Sequence, residues 1–268
     1  MSSLTDNGMR EPNALGYSNW GSIDRVYKTL VMEVLVRGTT RETRNGTALS
    51  TFGTHLDFDI ENIGLPLISW RKMYTKGIVG EFLGFLQDAT TVEEFEALGC
   101  PYWKLWADEE GSLVLDYPPR EQLDALIEGI KQDPTGRRHI INLWDHTHLH
   151  MLSLPCCHFN YQFYVRKGTH LDMIWTQRSV DVAVGLPSDF VLAFLYVIHI
   201  AGETGLKPGR VTMNFGDTHI YSEHVQALKE MVMLTQPQDK GLAYEWDGKK
   251  LSFEGYTPNK PIKFLLKG

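Results

Sequence analysis

A chain of 268 residues, 43% hydrophobic and 22% charged, has the make-up of an ordinary globular protein able to bury a sizeable core. Its formal net charge of −7 excludes a broad polyanion-binding face, and with it a nucleic-acid polymer as partner, while leaving room for one small phosphate held by local arginines. No run approaches the ~18 consecutive apolar residues of a membrane span, and the polar N-terminus lacks a secretory apolar segment. The three cysteines, Cys100, Cys156 and Cys157, form neither an even disulfide framework nor a zinc spacing, so a reducing cytoplasm is expected.

Residues 1–19 are polar and aperiodic and read as a flexible arm; 20–268 show no repeat or linker and read as one α/β catalytic domain. Ile23, Val26, Leu30 and Val34 recur at helical spacing, which predicts a helix from Ser22 to about Val36. A charged loop, Arg41 to Gly46, comes next. Strands are predicted over Ala48 to Phe58 and Leu65 to Trp70. Val79 to Leu86 reads as an amphipathic helix with Glu81 among apolar neighbours, ordinarily a helix-surface carboxylate. Thr91 and Glu94 form a capping box, and Gly99 closes that short helix. The aromatic cluster Tyr102 to Trp106 reads first as core. Pro118-Pro119 leads into a helix carrying Leu123, Leu126, Ile127 and Ile130. Arg137-Arg138 opens a strand to Trp144, and strands follow at Phe159 to Val165 and Leu171 to Trp175. A strongly apolar helix is predicted for Leu186 to Gly202, a strand for Gly209 to Phe215 and a helix for His219 to Leu234. Short strands at Ala243 to Trp246, Leu251 to Phe253 and Ile262 to Leu266 end the chain.

Chemistry concentrates between Leu154 and Tyr221. Leu154-Pro155-Cys156-Cys157-His158 sets a thiol beside an imidazole, and Gln177-Arg178-Ser179-Val180-Asp181 brings a guanidinium and a carboxylate. A thiol is nucleophilic only as thiolate, a form that nearby positive charge favours. Gly185-Leu186-Pro187-Ser188-Asp189 and Gly216-Asp217-Thr218-His219-Ile220-Tyr221 complete the set. These ordered segments, with Glu81-Phe82-Leu83 before them, resemble the thymidylate synthase superfamily.

The resemblance implies a large mixed sheet packed by helices, and a homodimer joined sheet to sheet. It implies 5,10-methylenetetrahydrofolate as one-carbon donor, a pyrimidine deoxynucleotide monophosphate as substrate, and no metal. Cys157, directly before the histidine, matches the nucleophile; Cys156 stands where proline is common and reads as a packing residue. Glu81 and His158 match the groups that order water around the base, and Tyr117 a catalytic tyrosine. Arg44, Arg178 and Ser179 match the phosphate site, completed by Arg137 and Arg138 from the opposite subunit. His219 and Tyr221 match the pair that binds the sugar 3′-hydroxyl, Gln177 is part of the base-side signature, and Asp181, Trp103 and Trp106 border the folate.

Asp189 departs from the family's pyrimidine-reading asparagine, and this change resembles the branch acting on deoxycytidylate. A protonated carboxyl both donates and accepts, which suits the N3 and 4-amino edge of cytosine. A carboxylate near a helix start is equally a favourable cap. The family's segment after Tyr117 is also shortened, Ser188 replaces a bulky aromatic, Lys104 replaces an acidic or amide residue, and the tail ends Phe264-Leu265-Leu266-Lys267-Gly268. A looser and wetter pocket would follow. The expectation from sequence is therefore hydroxymethylation of dCMP at C5 in the cytoplasm of a phage-infected bacterium. Trp103, retained as in methylating members, keeps C5-methylation of dCMP or dUMP as the alternative.

Overall fold

The computed structural model describes residues 22–117, 120–234 and 241–267. In chain order these form α1 (Ile23–Arg37), β1 (Thr39–Thr43), β2 (Gly46–Asp59), α2 (Ile60–Ile63), α3 (Thr75–Leu86) and α4 (Val92–Ala97). There follow α5 (Arg120–Gln132), β3 (Ile140–Asn142), β4 (His158–Arg166), β5 (His170–Asp181), α6 (Gly185–Thr204), β6 (Lys207–Tyr221), α7 (Ser222–Met233), β7 (Tyr244–Trp246) and β8 (Leu251–Phe253). The expected arm at 1–19 and Pro118-Pro119 lie outside the described residues.

Six strands pair in the order β1-β2-β6-β5-β4-β3. All neighbours are antiparallel except β5 and β6, whose parallel pairing needs a long crossover, supplied by α6. Alternation along the strands sends Leu56, Phe58, Tyr161, Phe163, Met173, Trp175, Val211 and Met213 to one buried face. Against that face packs α6, apolar nearly all round, with Phe190 edge-on to Tyr27 and Phe58, and Tyr196 edge-on to Phe82 of α3. By length and apolarity α6 would suffice to cross a membrane, but its residues from Phe190 to Val197 are all buried by protein, as in a core helix.

Several elements differ from the sequence expectation. Arg41 to Thr43 is the end of an edge strand; all of β1 is exposed, so it has no alternation to read, and only Arg44 and Asn45 turn before Gly46 (φ 117°). Leu65 to Trp70, in which Leu67 N–H turns back to Leu65 O (2.8 Å), joins no sheet. Its polar groups go instead to Asp24, through Ser69 N–H (2.7 Å), and to Leu242 O, through Leu65 N–H (2.9 Å). β5 runs on to Asp181 and β6 to Tyr221, so α7 begins at Ser222 and His219 lies on a strand. Residues 262–266 form no strand. Phe264 packs on His224 (5.2 Å between rings) and Lys267 pairs with Glu223 (2.8 Å), folding the tail back over α7.

Candidate active site

β5 and the start of α6 supply the floor of a cavity of about 440 Å³. A bulge between β4 and β5 at His158/Asn160 ends the regular ladder where Cys157 and His158 emerge, a common device for re-aiming side chains at a site. Gly216 of β6 lies opposite Arg178; a Cβ there would come within 2.5 Å of Arg178 O, so only glycine admits this approach. The cavity is lined by Cys157, His158, Glu81, Trp103, Trp106, Tyr117, Gln177, Arg178, Ser179, Asp181, Asp189, His219, Tyr221 and Arg44. Every residue singled out from the sequence as part of the site is therefore there except Arg137 and Arg138. That pair is exposed, away from this chain's own cavity.

Arg178 is held by backbone. Its Nε donates to Cys156 O (2.9 Å) and its Nη2 to Pro155 O (2.7 Å), which places Nη2 3.9 Å from Cys157 Sγ. Burial raises the Cys157 pKa, and the Arg178 charge opposes that rise without overcoming it. The sequence expectation that Arg178 favours the thiolate is thus half met: the thiol is the resting form. Cys156 is fully buried, its pKa pushed up to about 12 by burial, as a packing residue would be. Tyr117 stacks on Phe85 (4.8 Å) and accepts the Cys157 backbone N–H (2.8 Å), tying the nucleophile's backbone to the aromatic wall.

The carboxylates divide by task. Asp181 Oδ1 accepts from Ala183 N (2.8 Å) and Val184 N (3.2 Å), satisfying backbone donors at the entry to α6. Asp189 lies within that helix and does not cap it, which corrects the capping reading. Its Oδ2 accepts from Gln177 Nε2 (2.9 Å), and burial lifts its pKa to about 7. Among the described residues the buried Gln177 Oε1 has no partner. Burial, with repulsion from Asp189, lifts Glu81 to about 8. Near neutrality Glu81 is therefore mostly protonated and Asp189 about half so, and a protonated carboxyl can donate as well as accept.

His219 and Tyr221 share a face of β6, rings 5.0 Å apart. Asp217, which sequence reading passed over, holds His219 Nδ1 at 3.0 Å and also accepts from Ser50 (2.8 Å) and Arg41 (2.5 Å). Also missed was Arg71, which donates to Ala183 O (2.9 Å) and lines the cavity, as do Leu266 and Lys267 of the tail. Arg71 had a faint signal, a charge directly after an apolar run; nothing local marks Asp217. The Trp103 indole faces the Glu81 carboxyl, and among the described residues the buried Trp106 indole N–H has no acceptor. Among the described residues no cluster of His, Cys, Asp and Glu suited to a metal ion occurs.

Residues 25–266 match the family model described as thymidylate synthase. A relative from Escherichia phage T5, named a probable thymidylate synthase, is 32% identical over 230 residues, covering 77% of this chain and 82% of the relative. The chain belongs to the thymidylate synthase family, whose members carry out one-carbon transfer and are typically folate-dependent.

Proposed function

We infer that this chain methylates C5 of a pyrimidine deoxynucleotide 5′-monophosphate, converting dUMP to dTMP. The observation that carries this reading is Cys157 Sγ placed 3.9 Å from a backbone-fixed Arg178, in one cavity with two buried acids whose pKa values are raised. Pyrimidine C5 is a poor nucleophile. Addition of the Cys157 sulfur to C6 makes C5 enamine-like, dividing one hard step into easier ones. When bound, methylenetetrahydrofolate supplies the one-carbon unit and the hydride; Trp103, Trp106 and Asp181 are the residues that would hold it. Loss of the C5 proton and expulsion of the thiolate restore the ring, with Tyr117 and Glu81 placed to move protons. Arg178, Ser179 and Arg44 hold the phosphate, for which the guanidinium fork is suited. His219, braced by Asp217, and Tyr221 take the sugar hydroxyl.

A neutral Asp189 resolves the missing amide. Its carbonyl can accept from uracil N3–H while its O–H donates to O4, the same two roles an asparagine plays. The probable thymidylate synthase of phage T5 supports uracil. Deoxycytidylate is the second reading, favoured by Asp189 itself, since the same carboxyl with its roles exchanged reads N3 and a 4-amino group. Hydroxymethylation presumed a loosened lid. Leu266 and Lys267 instead line the cavity, and the ion pair to Glu223 anchors the tail there, which supports completion by hydride over water.

A homodimer through the outer sheet face belongs to this reading. Ile140, Tyr164 and Ile174 stand 44%, 62% and 39% exposed on that face, and Arg137 and Arg138 are free to reach a second copy's phosphate. Sedimentation should give the mass of two chains; a monomer would end the shared-arginine proposal. A phage-infected bacterial cytoplasm is the compartment this reading implies.

The test supplies methylenetetrahydrofolate with dUMP or dCMP, weighs the nucleotide, and follows dihydrofolate by absorbance. Expected is dUMP gaining one CH2, with dihydrofolate formed in equal amount. A CH2 gain confined to dCMP would establish the second reading, and a CH2O gain without dihydrofolate would restore hydroxymethylation. No product from either nucleotide would overturn the assignment.

A further inference from the structure

The hydrogen bonds around His158 give a role to a residue behind the cavity wall. Tyr161, on the buried face of β4, is fully enclosed, and among the described residues His158 Nδ1 is the one partner of its hydroxyl. A buried O–H left without an acceptor costs about 1–3 kcal/mol, so the hydroxyl donates and Nδ1 accepts. Enclosure among aromatic rings keeps the imidazole neutral, its pKa lowered to about 3 by burial. A neutral imidazole accepting at Nδ1 carries its proton on Nε2. Ring flipping is opposed by Trp175 at 4.3 Å and Tyr117 at 4.5 Å. Nε2 makes no hydrogen bond within the described residues, and the ring lines the cavity with Gln177 and Asp189.

We propose that Tyr161 is a positioning residue that fixes His158 as the Nε2–H tautomer, so that the cavity offers a donor to position 4 of the base and prefers a carbonyl there to an amino group. The proposal rests on the reading above that the base turns its N3–C4 edge toward Asp189. A protonated Asp189 can exchange its donor and acceptor oxygens and so serves either edge. His158, with Nδ1 engaged, cannot exchange its roles. The fixed imidazole therefore decides between O4, which accepts, and a 4-amino group, which would set donor against donor. Such an unpaired buried contact corresponds to about a tenfold difference in binding.

Tyr161→Phe keeps the ring and its stack on Trp175 (4.7 Å) and removes only the hydroxyl. The full-length protein, labelled with 15N-histidine, reports which His158 nitrogen carries the proton; titration calorimetry gives the dissociation constants of dUMP and dCMP. The wild type should show a bare Nδ1 and bind dUMP about tenfold tighter than dCMP. In Tyr161→Phe both tautomers should be populated and the ratio should fall toward one. A wild-type proton on Nδ1 would overturn the proposal, and that spectrum needs no variant, so a Tyr161→Phe chain that misfolds does not block the test. A variant that keeps the Nε2 proton and the wild-type ratio would overturn it equally, as would tighter dCMP binding to the wild type. If the wild type shows the bare Nδ1 but binds neither nucleotide, the functional reading and the base preference fall together, leaving only the tautomer assignment.

Discussion

The two ends of the cavity are built on opposite electrostatic plans. At the base end, Asp189, Glu81 and His158 are enclosed, and burial disfavours their charged forms: two carboxyls are pushed up to about 7 and about 8, one imidazole down to about 3. At the phosphate and sugar end, charge is kept and braced: two carbonyls hold Arg178, and Asp217, which orients His219, is held below its ordinary pKa, against burial, by hydrogen bonds with His219 and Ser50. The difference teaches that one end reads hydrogen-bond direction and the other binds an anion. The thiol of Cys157 lies between, buried like the first and beside a cation like the second.

The largest effect should come where the ends meet. Cys157→Ala removes the covalent route and should lower kcat by at least about 10³-fold, roughly 4 kcal/mol of barrier, with nucleotide affinity nearly intact in steady-state kinetics. At the base end, Glu81→Gln keeps shape but cannot exchange a proton; a drop in kcat of about 10²-fold is expected with little change in KM. Arg178→Lys tests the anion end, since a point-like ammonium lacks the planar fork that reaches two separate carbonyls and a phosphate from one pose. KM for the nucleotide should rise about 10–100-fold with a smaller change in kcat. If Arg178→Lys altered kcat alone, the division between the ends would be wrong.

Asp189→Asn separates the ends by pH. Uracil needs the neutral carboxyl, so wild-type turnover of dUMP should fall as pH rises through about 7, roughly tenfold per unit, and the variant should lose that inflection. Stability follows the same proton. Because the folded pKa lies above its ordinary 3.8, the folded state keeps a proton that the unfolded chain has lost, and stability declines as pH climbs from about 4 to about 7. Asp189→Asn should therefore melt higher than the wild type at pH 8, by on the order of 1–4 kcal/mol, and lose that advantage near pH 4. The smallest effect is reserved for a site outside both ends. Thr91→Ala breaks the capping box of α4 and should cost about 1 kcal/mol in denaturant melts while leaving turnover unchanged.

Much of this was legible in the chain because periodicity and spacing are local. The repeats in α1 and α5, the capping box at Thr91 and Glu94, and the unbroken apolar run of α6 each name their element without help. What escaped depended on partners far along the chain. Leu65 to Trp70 has strand composition, but its polar groups go to Asp24 and Leu242. Residues 262–266 alternate like a strand, yet the tail turns onto His224 and Glu223. In the site, motif residues could be named, but not the braces: Asp217 for His219 and Tyr161 for His158 are matters of register. Nor could spacing tell that Asp181, not Asp189, satisfies the start of α6.

The most direct measurement is the mass of the peptide containing Cys156 and Cys157 after rapid acid quench of the working enzyme with dUMP and methylenetetrahydrofolate. A single nucleotide carried on Cys157, absent in Cys157→Ala, is the predicted result. Product formed at the wild-type rate by Cys157→Ala, or a nucleotide found on any other side chain, would contradict the account.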